Sequence, residues 1–137
     1  MCRTLKISLV LCIFFISCKK EAYRYSVDAR FNPVIIEANK VIYDHGLKLE
    51  LVPSTTSSDV EVSNALCDGH TGEQRRCRLK VCDTSRPPKL MARTLLHEIG
   101  HCAGLEHTTD RANIMFPMNT DGVGFTKEQA NKINEGT

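Results

Sequence analysis

The apolar and polar positions of this chain change period along its length, and each change predicts a change of element. Tyr23, Tyr25 and Val27 alternate with Arg24, Ser26 and Asp28, the period-two pattern of a strand. Asn32-Pro33 then opens a helix. Asn32 can cap it, Pro33 suits its first turn, and Ile35, Ile36, Asn39, Val41, Ile42 and Tyr43 carry its apolar face. Gly46 is placed to end it. Leu47-Lys48-Leu49-Glu50-Leu51 alternates strictly and predicts a half-buried strand, and Val60 and Val62 around Glu61 a short one. Ser63 to Gln74 is polar, contains Gly69 and Gly72, and reads as loop; Leu79-Lys80-Val81-Cys82 reads as strand again. After Arg86-Pro87-Pro88 comes the clearest helix, about Lys89 to Cys102, and a last one near Lys127 to Asn134 with Thr126 as N-cap. This order predicts a small α+β domain: a short twisted sheet, an N-terminal helix, a helix carrying the chemistry and a C-terminal helix.

The first residues follow a different pattern. Arg3 and Lys6 precede an apolar run from Ile7 to Ser17, too short for the roughly 20 residues a bilayer span needs but suited to an export signal. Phe15-Ile16-Ser17-Cys18 resembles a bacterial lipoprotein signal, in which cleavage before the cysteine leaves Cys18 to receive lipid; Phe15 stands where leucine is more usual. The chain therefore divides into a signal at 1–17, a tether and possible first strand at 18–30, and a domain at 31–137. The expected location is outside the cytoplasm, lipid-anchored in the envelope or on the cell surface, with plain secretion as the alternative.

Composition adds little beyond excluding a disordered chain: 42% of the residues are hydrophobic and 25% charged. The formal net charge of +2 belongs to Arg3 and Lys6; without the signal, 16 basic and 16 acidic residues balance, so no overall attraction to nucleic acid is expected. The basic run Arg75-Arg76-Cys77-Arg78-Leu79-Lys80 is read as a solvated face. Four cysteines remain beyond Cys18, namely Cys67, Cys77, Cys82 and Cys102, an even set that predicts two disulfides in an exported domain. They contain no C-x-x-C pair, which argues against a structural zinc knot.

The chemistry concentrates in His97-Glu98-Ile99-Gly100-His101-Cys102-Ala103-Gly104-Leu105-Glu106-His107. His97 and His101, four apart on a helix, project from one face and can meet a single zinc ion. Glu98 lies about 100° around the helix, placed to address a water at the metal without being a ligand. His107 must approach from elsewhere, so the helix has to stop, and Gly104 supplies the left-handed turn. Three protein ligands leave one position open, the arrangement of a catalytic zinc. Met91, Leu95, Ile99 and Cys102 form the opposite, core-facing side. Cys102 is therefore excluded as a ligand and assigned to a disulfide, with Cys82 as its first partner and Cys67 left with Cys77.

With its glycine and third histidine at these offsets, the segment resembles the metzincin metallopeptidases. Asn113-Ile114-Met115-Phe116-Pro117 resembles their Met-turn, and the spacing, together with Asp110 and the Met-x-Pro ending, is closest to the matrixin branch. The resemblance implies that Met115 forms an apolar floor beneath the histidines. It also implies that Pro117 replaces the zinc-reaching tyrosine of other branches, and that Met115 to Met118 help wall the pocket for the residue after the cut. An extended substrate would lie along an edge strand upstream of the helix. Calcium and second-zinc loops are not evident, and His45 and His70 read as surface residues.

The expected activity is that of a zinc metalloendopeptidase hydrolysing protein or peptide substrates through a zinc-activated water, with Glu98 as general base. Two alternatives stand beside it: a lipid-anchored binding protein or adhesin with a non-cleaving zinc site, and a disulfide-stapled structural protein with a chance motif.

Overall fold

The computed structural model describes residues 23–63, 72–75, 78–118, 122 and 124–136. The expected signal, Cys18, Cys67, Cys77 and His70 lie outside these residues. The chain runs β1 (Tyr23–Asp28), a 3-10 turn (Ala29–Phe31), α1 (Asn32–Asp44), β2 (Leu49–Ser54), β3 (Val60–Ser63), β4 (Gly72–Arg75), β5 (Arg78–Cys82), α2 (Pro88–Cys102) and α3 (Lys127–Gly136). The expected α+β class and its three helices are those observed.

β1 and β2 pair in parallel, Tyr23 opposite Leu49 and Tyr25 opposite Leu51, with α1 as the crossover between them. The other sheet has the order β3-β5-β4, with β3 parallel and β4 antiparallel to β5. The two sheets meet at β1 and β3. There the Asp59 N–H donates to Ser26 O (2.9 Å), while the Asp59 carboxylate accepts from the Ser26 N–H (2.7 Å) and hydroxyl (2.9 Å). α1 packs on β2, α2 on β4 and β5, and the two helices pack on each other.

α1 departs from expectation at its start and on its face. Asn32 is the first helical residue rather than the cap, and the residue before it, Phe31, makes no side-chain cap bond. Burial falls on Val34, Ile35, Ala38 and Ile42, while Ile36 and Tyr43, seven apart on another stripe, are 50% and 86% exposed. The helix ends as expected at Gly46, whose φ is +61°. Gly46 N–H reaches Tyr43 O and Leu47 N–H reaches Ile42 O, the paired bonds of a Schellman motif. That second bond uses the amide of Leu47, so β2 begins only at Leu49.

The stretch expected as loop to Gln74 contains a strand, β4, instead. Gly72-Glu73-Gln74-Arg75 has no apolar alternation; its order comes from the backbone ladder to β5, Gly72 opposite Val81 and Gln74 opposite Leu79. On β2, the edge at Leu51 is met by one side chain. Asn39 of α1 donates from Nδ2 to Leu51 O (2.9 Å) and accepts the Leu51 N–H at Oδ1 (3.0 Å), as a neighbouring strand would.

The buried core joins these parts around α2, in which every residue from Met91 to Gly100 is buried. Leu95, Leu96 and Ile99 have at most 1% of their surface exposed, and each such side chain contributes about 1.5–3 kcal/mol on burial. Asn39→Ala removes both partners of a buried strand residue at once. Urea denaturation is expected to show a loss of about 1–3 kcal/mol; an unchanged midpoint would show that water replaces the amide without cost.

Candidate metal centre

α2 carries His97 and His101 one turn apart, and then stops. Ala103 is the C-cap and Gly104, at φ +78°, turns the chain. Gly104 N–H bonds His101 O (2.9 Å) and Leu105 N–H bonds Gly100 O (2.9 Å), a second Schellman motif. The Lys132 ammonium of α3 donates to Gly104 O (2.7 Å), where a cation also meets the negative end of the helix dipole. The chain then doubles back, and Thr108 N–H reaches Met115 O (3.1 Å), which sets His107 over the end of α2.

The three side chains converge. Nε2 of His97 lies 3.0 Å from that of His101 and 3.2 Å from that of His107, and the last two are 3.1 Å apart. Two of the rings are oriented by backbone carbonyls: His97 Nδ1 lies 2.7 Å from Ile114 O and His101 Nδ1 2.8 Å from Leu105 O. A carbonyl only accepts, so in both rings Nδ1 carries the hydrogen and Nε2 is the nitrogen turned to the other histidines. Burial pushes the pKa of His97 down to about 4, against a smaller raising effect of the Ile114 carbonyl, so this ring is neutral at pH 7. His107 is also lowered, first by burial and then by His101.

Lone pairs aimed at one another across 3 Å repel, and a cation between them reverses the sign. Two nitrogens each about 2.0–2.1 Å from a tetrahedral zinc are about 3.3–3.4 Å apart, close to the observed edges. The donor set and the carbonyl-held tautomers thus fit zinc. Burial is graded across the site, with His97 buried, His101 intermediate and His107 exposed, so the centre opens to solvent on the His107 side. Glu98, next to His97, is only 6% exposed.

Met115 is fully buried against Gly100 of α2. A Cβ on Gly100 would fall 2.5 Å from Met115 Sδ, so the absence of a side chain just before His101 lets the methionine come up under the helix. The Met115 segment is held from three sides. Ile114 N–H bonds Gly124 O (2.8 Å), the buried Asn113 accepts Met115 N–H at Oδ1 (2.8 Å), and Asn113 Nδ2 donates to Gln129 Oε1 (2.8 Å). Gln129 closes the capping box of α3. It accepts Thr126 N–H (2.9 Å), while its own N–H reaches Thr126 Oγ1 (3.2 Å). The expected cap Thr126 is thus present, and its partner ties α3 to the loop that orients His97.

Among the described residues, the structure brings together His97, His101 and His107 and leaves Cys102 out of the group. Pro117 is exposed at the surface end of the Met115 segment. His45 is half-buried and stands outside the histidine group: Nδ1 lies 2.9 Å from Val41 O and its ring meets Phe125 edge-on. The Cys82–Cys102 pairing is corrected. Cys82 is disulfide-bonded, whereas Cys102 is in no disulfide and packs against the core. Arg86 bonds both Cys82 O (3.2 Å) and Thr94 Oγ1 (3.0 Å), which sets Cys82 beside the middle of α2. Cys102 lies eight residues further along, about 12 Å down the axis, beyond the roughly 4.4–6.8 Å a disulfide spans between Cα atoms.

A family model described as matrixin matches residues 69–135, which contain the histidines, Met115 and all but the last residue of α3. The match and the histidine group support a metzincin-like family. No curated protein and no solved structure matches the chain. Of the residues at this site, sequence reasoning gave no role to Asn113 and Gln129. Their signals were the T-x-x-Q capping pattern and a polar residue inside an apolar turn, and neither names a partner.

Replacing His101 by Ala removes one of three ligands. Metal analysis of the purified protein is expected to find zinc in the parent and none in the variant; equal zinc in both would place the ion elsewhere.

Proposed function

We propose that this protein is a zinc-dependent endopeptidase acting on extracytoplasmic proteins, with Glu98 as its general base. The observation that carries the reading is the triangle of Nε2 atoms, open to solvent at His107, with the buried Glu98 following His97 on the same helix. A zinc ion bound there supplies Lewis acidity for a water and for a peptide carbonyl. His97, His101 and His107 hold it, with the two carbonyl-held rings presenting lone pairs rather than N–H groups. Glu98 takes a proton from the attacking water and passes it to the leaving nitrogen. The exposed side at His107 admits a chain from solvent. β4, an edge strand of the β3-β5-β4 sheet among the described residues and upstream of α2, offers an extended peptide a ladder to join.

Glu98→Gln keeps the shape and removes the base. Hydrolysis of unfolded casein is expected to fall by at least about 100-fold while zinc stays bound. Cleavage at the parental rate, or parental cleavage that survives a chelator, would rule the mechanism out.

The sequence around Cys18 supports a lipid anchor, which would hold the site at a membrane surface. Expressed in a bacterium, the full chain is expected to incorporate labelled palmitate and sediment with membranes, and Cys18→Ala to do neither. A parent that takes up no palmitate would leave simple secretion.

A further inference from the structure

The start of β1 stands at an end of the domain that several elements share. Tyr23 N–H donates to Lys48 O (2.9 Å). Asn134, in the last turn of α3, accepts Lys48 N–H at Oδ1 (2.6 Å) and donates from Nδ2 to Gly46 O (3.1 Å). Gly46 closes α1 just past Tyr43, so the first residue of β1, the end of α1 and the end of α3 lie side by side. Four large hydrophobic side chains are exposed among the described residues, and two of them are here, Tyr23 at 50% and Tyr43 at 86%. Charge at this end nearly cancels. Arg24 pairs with Glu50 (3.1 Å), and the exposed Lys48 and Lys132 stand against the exposed Asp44 and Glu135.

The chain in front of these tyrosines says what covers them. Only Lys19-Lys20-Glu21-Ala22 separates Cys18 from Tyr23. Five residue steps reach at most about 18 Å even when fully extended. A lipid on Cys18 therefore keeps this end of the domain within that distance of the bilayer surface. Tyrosine suits the layer it would meet there, because its ring is apolar, its hydroxyl is polar, and membrane–water interfaces favour that combination. With its charges nearly balanced, the face has no need of anionic lipid.

We propose that the end of the domain carrying Tyr23 and Tyr43 rests on a phospholipid bilayer, with both rings in the headgroup layer. This inference rests on the lipid-anchor reading at Cys18. It also gives the metal centre a side. Lys132 of α3 donates to Gly104 O (2.7 Å), and a Cβ on Gly136 would lie 3.6 Å from Ala103 Cα, just past His101. The helix that braces the bilayer end thus braces the end of α2 as well. The turn between β2 and β3 lies at the opposite end of β1, since Ser54 is opposite Asp28. One strand length, about 17 Å, separates it from Tyr23.

The chain contains no tryptophan, so a single introduced one reports on its own surroundings. Full-length chains with Tyr43→Trp, or with Thr56→Trp in the exposed turn between β2 and β3, are expressed in a bacterium and purified. They are reconstituted into phosphatidylcholine vesicles with or without bromine on the acyl chains, and lipid on Cys18 is read by mass on the same samples. Bromine is expected to quench the emission of Tyr43→Trp at least about twofold and to leave that of Thr56→Trp unchanged. A lipid-bearing chain in which Tyr43→Trp is not quenched, or in which both positions are quenched alike, overturns the face and leaves the anchor standing. Quenching that appears only when anionic lipid is added overturns the role of the tyrosine rings. A chain with no lipid on Cys18 overturns the anchor and this inference together.

Discussion

Three imidazole nitrogens with their edges 3.0–3.2 Å apart are the constraint on which the rest of this structure turns. Lone pairs at that distance repel, so the arrangement has to be imposed by the surroundings. The surroundings act on the far side of the rings. Ile114 O and Leu105 O each take the Nδ1 hydrogen, which fixes the tautomer and the ring plane together. Each carbonyl is itself held, Leu105 by a helix-ending motif and Ile114 by its amide bond to Gly124 O.

The supports come from distant parts of the chain. α2 is buried through ten consecutive residues, so His97 and His101 stand on an element that cannot tilt without opening the core. α3 reaches the site twice, through Lys132 on Gly104 O and through Gln129 on Asn113. α1 reaches it through packing on α2, and β2 is completed by Asn39 of that helix. A metal site built this way relies on rigid helices for two ligands and on a pinned turn for the third. The burial gradient from His97 to His107 opens the site on the His107 side.

Much of this was legible in the residues. The offsets 97, 101 and 107 with glycine at 104 require a helix that stops in a left-handed turn, and the structure has both. Gly46 and Thr126 mark their helix ends as their chemistry demands. What failed did so for identifiable reasons. β4 is polar throughout, and an edge strand ordered by backbone bonds leaves no trace in side-chain periodicity. Tyr43 and Ile36 were assigned to the buried face of α1, but a wide apolar arc does not say which part of it meets the core. The even number of cysteines does not say which of them pair, and a first pairing of Cys102 with Cys82 fails on a separation of about two helical turns.

The sequence by itself determined which groups could bind a metal, because ligand type and spacing along a helix are local properties. It also determined where the helix must break, because only glycine takes that backbone conformation without strain. The tertiary structure alone decided what orients those groups. Asn113, Gln129 and Lys132 act across gaps of sixteen and twenty-eight residues. A hydrogen bond of that kind depends on the packing of whole elements, and no pattern along the chain encodes it.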